Sequence, residues 1–142
     1  MALATAPTTV IFACIHNAGR SQMAAAFFNA VADPSRAHAV SAGTSPGTHV
    51  HPEVQDVMRE AGFDLSGESP RRLTEALAAH ASLLITLGCG EACPVVPGVE
   101  RDDWNLPDPE GQPLPAVRAI RDDVRRRVEA LVRTRRWGRH AG

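Results

Sequence analysis

Cys14 and Arg20 stand six positions apart within TTVIFACIHNAGRSQM, the stretch from Thr8 to Met23. A cysteine attacks as its thiolate, and a helix N-terminus or a neighbouring guanidinium favours that form. An arginine offers a planar fork that matches a tetrahedral oxyanion. The pair reads as a thiolate nucleophile set in an oxyanion cradle. Ile15, His16, Asn17, Ala18 and Gly19 would lend the cradle their backbone N–H groups, and Arg20 and Ser21 would close it. The spacing alone, Cys-x5-Arg-Ser, arises by chance in many chains. Its other reading is a buried cysteine at a strand end with Arg20 as a solvated first-turn residue. The context favours the cradle: the motif lies between a strand and a helix, and Asn17 and Gly19 permit the turns a tight loop needs.

The elements that must position this loop are legible around it. Thr8 to Ala13 is apolar and rich in β-branched residues, a strand that ends near Cys14. A helix follows over Ser21 to Ala32, stopped by Asp33-Pro34-Ser35. Ala37 to Ala42 reads as a second strand ended by Gly43. Pro52 opens a helix, PEVQDVMREAG, with Val54, Val57, Met58 and Ala61 on one face and Gly62 as its stop. A brief helix fits Leu73 to His80. Ser82 to Leu87 is a continuous apolar run bounded by Gly88, as expected of a buried parallel strand. A short strand fits Val99 to Trp104. The last helix runs from Pro115 to Arg136, with Asp122 and Asp123 four residues ahead of Arg126 and Arg127. The alternation predicts one α/β domain over 1–142, with an ordered core of about 8–136. A four-stranded parallel sheet would carry helices on both faces, joined by right-handed crossovers. Ligands in such sheets sit beyond the carboxyl ends of the strands, where the Cys14 loop must be.

Composition narrows the partners. The chain has 142 residues, 44% hydrophobic and 22% charged, with a net charge of −1. That balance gives no pull toward nucleic acid or an anionic membrane. The arginines at 125–127, 133, 135 and 136 are interleaved with Asp122, Asp123 and Glu129, which reads as a solvated helix face. The apolar runs are far shorter than a membrane span, and MALATAPTT has neither the basic nor the apolar part of a secretory signal. Three cysteines do not make a secreted disulfide scaffold, so the expected home is the reducing cytoplasm.

Three more residues could do chemistry. Asp108, in Trp104-Asn105-Leu106-Pro107-Asp108-Pro109, could donate a proton to a leaving oxygen, although an Asp-Pro turn is equally well a solvated turn. Asp102 and Asp103 are its local rivals. Cys89 and Cys93 lie just beyond the third strand in Gly88-Cys89-Gly90-Glu91-Ala92-Cys93-Pro94. They could be a redox pair, inert thiols or part of a metal site; for the last, no further ligands with a recognisable spacing accompany them. His16 would contribute mainly its backbone, and His49 and His51 read as surface residues.

Cys14 to Ser21, the triplet Ser41-Ala42-Gly43 after the second strand, and the late Asp-Pro together resemble the low-molecular-weight protein tyrosine phosphatase fold. Within it, the chain is most similar to arsenate reductases of the thioredoxin-coupled type, from about Val10 to Leu131. That resemblance makes Cys14 the nucleophile, Arg20 the oxyanion clamp and Asp108 the general acid. Ser21 would hydrogen-bond the thiolate, and Asn17 would hold the loop's shape. It also implies a Cys14/Cys89/Cys93 relay, re-reduced by thioredoxin with electrons from NADPH through thioredoxin reductase. No bound cofactor, a monomer and a role in arsenic detoxification go with it. Three departures matter. Tyrosine is absent from the chain, whereas the phosphatases place tyrosines after the general acid. Glu68-Ser69-Pro70-Arg71-Arg72 has Arg71 where some reductases use an acidic residue to hold a cation, so no metal is expected. The gap between the relay cysteines, Cys-x3-Cys, is also short for the family. The alternatives are a reductase served by mycothiol or glutathione, a low-molecular-weight phosphatase, or a thiol-based sensor that does not turn over.

Overall fold

β1, Thr8–Cys14, is buried from Val10 onward and lies inside the sheet. Alternate residues of β1 face opposite sides, which divides the core in two. Val10 and Phe12 join the larger core with Phe27, Phe28, Val54, Met58, Val117 and Val124. Ile11 and Ala13 join the smaller one with Ala42, Leu73, Ala78, Ala81 and Leu84. A computed structural model describes residues 7–88 and 96–139. The elements after β1 are α1, Arg20–Val31; β2, Ala37–Gly43; α2, Pro52–Glu60; α3, Glu75–Ala79; β3, Leu83–Thr86; β4, Glu100–Asp103; and α4, Leu114–Arg135. The strands run in the order β2-β1-β3-β4, all parallel. The expected α/β domain and its four-stranded parallel sheet are therefore present. The two layers are unequal: α1, α2 and α4 supply the larger core, while the short α3 and its flanks cover the other face.

The anchor of the larger core is aromatic. Phe12 meets Phe28 edge-on at 5.9 Å between centroids and Trp104 at 5.7 Å. Each such buried ring contributes about 1.5–3 kcal/mol by area, plus a smaller geometric gain. β4 reads Glu-Arg-Asp-Asp because it is an edge strand that pairs with β3 through its backbone. Its side chains bind outward: Asp103 accepts from the Thr86 hydroxyl, Arg101 pairs with Asp103, and Glu100 pairs with Arg135 of α4. The expected helix ion pairs form only in part. Asp123 takes both Arg126 and Arg127, whereas Asp122 pairs with its neighbour Arg121. Arg121 is anchored by the Val57 carbonyl and Glu60 of α2, so Asp122 is drawn to that side. Among the described residues no helix is long and apolar enough to cross a membrane.

Candidate active site

β1 ends at Cys14, paired in register with Gly43, the last residue of β2. The loop from Cys14 to Gly19 then turns into α1. Its carbonyls are all engaged from outside the loop. Main-chain N–H groups reach five of them: Thr44 to Cys14, Ser45 to Ile15, Gly47 to His16, His51 to Ala18 and Met23 to Gly19, at 2.8–3.1 Å. The sixth, on Asn17, accepts from the Gln22 side chain at 3.1 Å. A trans peptide carries its C=O and the following N–H on opposite sides. Carbonyls drawn outward therefore turn the N–H groups of residues 15 to 20 inward. The dipole of α1 adds positive potential at the same place. This is the physical content of the cradle.

Cys14 sits at its base. Cys14 is only 3% exposed. Its Sγ lies 2.9 Å from Ser21 Oγ and 3.2 Å from the Asn17 N–H. The proton order follows from groups whose roles are fixed. The Arg71 backbone N–H donates to Asn17 Oδ1 at 2.8 Å, so the Asn17 amide nitrogen must face Ser21, to which it donates at 2.7 Å. Ser21 Oγ accepts that bond and its own proton is free for the sulfur. Asn17 needs φ = 51° to do this, in the left-handed region that asparagine tolerates better than most residues.

Two close approaches fix the loop. A Cβ on Gly43 would stand 2.6 Å from the Ile15 carbonyl oxygen and 2.8 Å from the Asn17 nitrogen, so this position must lack one. On the other side, Arg20 is 7% exposed, and its Nη1 donates to the Leu106 carbonyl at 2.8 Å. A Cβ on Gly88 (φ +98°) would overlap that same Nη1. Gly88 thus makes room for the Arg20 guanidinium.

Asp108 lies beside Arg20. Its Oδ2 lies 3.9 Å from Arg20 Nη2, half-exposed, while its Oδ1 accepts from the Glu110 N–H at 2.9 Å. Pro109 is buried against Gly19, where a Cβ would meet Pro109 Cγ at 2.9 Å. The segment after β4 is thereby laid over the loop. Asp102 and Asp103 are committed elsewhere: Asp102 accepts from Trp104 Nε1, and Asp103 accepts from Thr86 and Arg101. Thr86 and Arg101 hold the Asp103 carboxyl below its ordinary range.

The structure brings together Cys14, Ile15, His16, Asn17, Ala18, Gly19, Arg20, Ser21 and Asp108. Cys89 and Cys93 lie outside the described residues. Among the described residues no group of three or more histidine, cysteine, aspartate or glutamate side chains is placed to hold a metal. His16 has its Nδ1 4.0 Å from Glu110 Oε2. His51, expected at the surface, is half-buried; its N–H donates to the Ala18 carbonyl, and it lines a depression beside the loop with His16, His49 and Glu110. Sequence reasoning did not single out Gln22, the Leu106 carbonyl or the Ser69–Arg71 backbone. Only Gln22 carried a signal, as a polar residue in the otherwise small and apolar run between Ser21 and Phe28.

Comparison with known proteins agrees with this geometry. A model of the family described as low molecular weight phosphotyrosine protein phosphatase matches residues 9–138. A Halobacterium salinarum protein named "Putative arsenate reductase" is 40% identical over 124 residues, covering 84% of this chain and 87% of that protein. The glutaredoxin arsenate reductase of Synechocystis is 34% identical over 126 residues, 87% of this chain and 95% of its own. Among solved structures, the Corynebacterium glutamicum thioredoxin-dependent arsenate reductase superposes with a TM-score of 0.78 at 34% identity. The match covers 93% of this chain and spans 63% of the Corynebacterium chain.

Proposed function

We propose that the chain, which belongs to the low molecular weight phosphotyrosine protein phosphatase family, reduces arsenate to arsenite. The cradle binds the oxyanion through its inward N–H groups and Arg20, and the Cys14 thiolate attacks arsenic. An arsenic–sulfur bond forms, and one oxygen leaves as water after taking a proton from Asp108. Cys89 then attacks Cys14 Sγ. The arsenic–sulfur electron pair goes to arsenic, which leaves as arsenite, and a Cys14–Cys89 disulfide remains. Cys93 attacks Cys89 in turn, frees the Cys14 thiolate and leaves a Cys89–Cys93 disulfide. A dithiol donor takes up that oxidation, becoming a disulfide itself.

One observation carries the reductive reading over hydrolysis. Gly88 packs against the Arg20 guanidinium, and Cys89 is the next residue in the chain. A hydrolase has no use for a second thiol there. The absence of tyrosine speaks in the same direction, because no tyrosine can flank the site to receive a phosphotyrosine ring. We take thioredoxin as the donor and the cytoplasm as the place of action. The relay cysteines support this reading, as does the thioredoxin dependence named for the Corynebacterium relative.

A specific observation favours a second reading. The Synechocystis relative is named for glutaredoxin, and in that variant a small thiol such as glutathione or mycothiol would attack the arsenic–Cys14 adduct directly. The test is NADPH consumption with arsenate, supplying thioredoxin with its reductase in one arm and a small thiol with its oxidoreductase in the other. Turnover should appear with thioredoxin and vanish in Cys93→Ser. Turnover of Cys93→Ser at the wild-type rate with thioredoxin excludes the three-cysteine relay. Silence in both arms excludes arsenate reduction.

A further inference from the structure

Five of the six carbonyls from Cys14 to Gly19 are held by main-chain N–H groups, which no side-chain substitution removes. The sixth belongs to Asn17, the one loop residue with a positive φ. It is held by a side chain, Gln22 Nε2, at 3.1 Å. The same nitrogen lies 3.2 Å from Asn17 Oδ1 and 3.4 Å from the Ser69 carbonyl. All three partners are acceptors, so the orientation of the Gln22 amide is unambiguous. Gln22 is 4% exposed, on the first turn of α1 and one residue beyond Ser21.

Asn17 is the residue through which the sulfur is governed. Its N–H donates to Cys14 Sγ, and its amide nitrogen donates to Ser21 Oγ, which touches the same sulfur. A left-handed non-glycine residue costs on the order of 1 kcal/mol and persists only where its surroundings over-determine it. Gln22 grips Asn17 at both oxygens, and the Arg71 N–H adds a second hold on Oδ1. Without Gln22 the Asn17 carbonyl is left buried and unpaired, and turning the 17–18 peptide to relieve it moves the loop out of register.

We infer that Gln22 is a positioning residue for the Cys14 thiolate, locking Asn17 in the conformation that aims two hydrogen-bond donors at the sulfur. The inference rests on Cys14 being the reacting thiolate and not on arsenate being its substrate.

The test uses the full chain with Cys89 and Cys93 both replaced by serine, so that Cys14 is its one cysteine. Gln22→Met keeps the side chain's length and removes its donor. Alkylation of Cys14 by iodoacetamide at pH 7 should slow by about tenfold, the size of one lost hydrogen bond transmitted to the sulfur, and its pH profile should move toward alkaline. In an Asn17→Ala background the same substitution should change the rate by less than about twofold, because its route runs through Asn17. In the three-cysteine chain, kcat should fall with the alkylation rate while KM for the oxyanion moves less. An unchanged alkylation rate in Gln22→Met overturns the assignment, as does a full additive effect in the Asn17→Ala background. If Gln22→Met does not fold, the nearly isosteric Gln22→Glu is read by the same criteria. If neither folds, Gln22 is a structural residue and the assignment falls. Arsenate plays no part in the alkylation, so its outcome stands apart from that of the reductase assay.

Discussion

Gly88→Ala is the sharpest perturbation the site offers, because it imposes two costs that can be separated. The first is conformational. Gly88 has φ +98°, and an alanine in that region costs about 1–2 kcal/mol. The second is steric and local. The new methyl would overlap Arg20 Nη1 and stand 3.1 Å from Cζ and 3.4 Å from the Leu106 oxygen. The guanidinium has to move, and it forfeits the 2.8 Å bond to Leu106, a charge-assisted bond worth about 1.5–3 kcal/mol. Gly62→Ala measures the first cost alone, since Gly62 has φ +91° and nothing within 4 Å of an added Cβ. In urea unfolding, Gly62→Ala should lose about 1–2 kcal/mol and Gly88→Ala about 2.5–5 kcal/mol. In turnover they should part completely. Gly62→Ala keeps the wild-type kcat/KM for arsenate, whereas Gly88→Ala falls about 100-fold, or about 2.7 kcal/mol of transition-state stabilisation, as when one preorganised oxyanion donor is lost. Equal kcat/KM in the two variants, or a Gly88→Ala value within about threefold of wild type, would refute the placing of Arg20 as the clamp.

Two other expectations are simpler. Asp108→Asn keeps the acceptor for the Glu110 N–H but removes the donated proton, so kcat should fall about 10²–10³-fold with the loop in place, checked by single-turnover arsenate reduction. Glu60 bonds Arg118 and also Arg121, and this pairing takes its carboxyl from an ordinary 4.5 down to about 2. A carboxyl depressed by folding adds stability above its unfolded value and loses it as the pH falls through the folded one. The stability gap between wild type and Glu60→Gln should therefore stand at pH 7, narrow below about pH 4.5 and close near pH 2; a gap of constant size would show that the α2–α4 ion pairs contribute nothing.

Much of the fold was legible because its signals are local. The β-branched run ending at Cys14, the Asp-Pro stop after α1 and the glycine after the apolar β3 each announce an element through backbone chemistry alone. β4 was harder to read. As an edge strand it takes its order from backbone pairing with β3 and from Arg101, Thr86 and Arg135, and a polar Glu-Arg-Asp-Asp carries no hydrophobic period. The candidate site divides in the same way. Cys14, Arg20 and Ser21 lie within eight consecutive residues, and their types suggest the chemistry. Asp108 was named through the family resemblance, because an Asp-Pro turn is equally well a solvated one; its rivals Asp102 and Asp103 serve Trp104, Thr86 and Arg101.

What the sequence does not expose is how the cradle is held open, because that work falls to atoms every residue has. The loop's carbonyls are drawn outward by the N–H groups of Thr44, Ser45, Gly47 and His51, contributed by the segment between β2 and α2. Any side chains would serve at most of those positions, so residue types carry no record of the role. The exceptions are where the backbone comes too close for a Cβ, at Gly43 beneath Asn17 and at Gly88 beside Arg20, and where a side chain replaces a backbone donor, at Gln22. Those three residues are the cradle's trace in the sequence. They also explain why Cys-x5-Arg is weak evidence by itself: the motif supplies a thiol and a guanidinium, and the geometry that holds them together is supplied by Gly43, Gly88 and Gln22, which lie outside it.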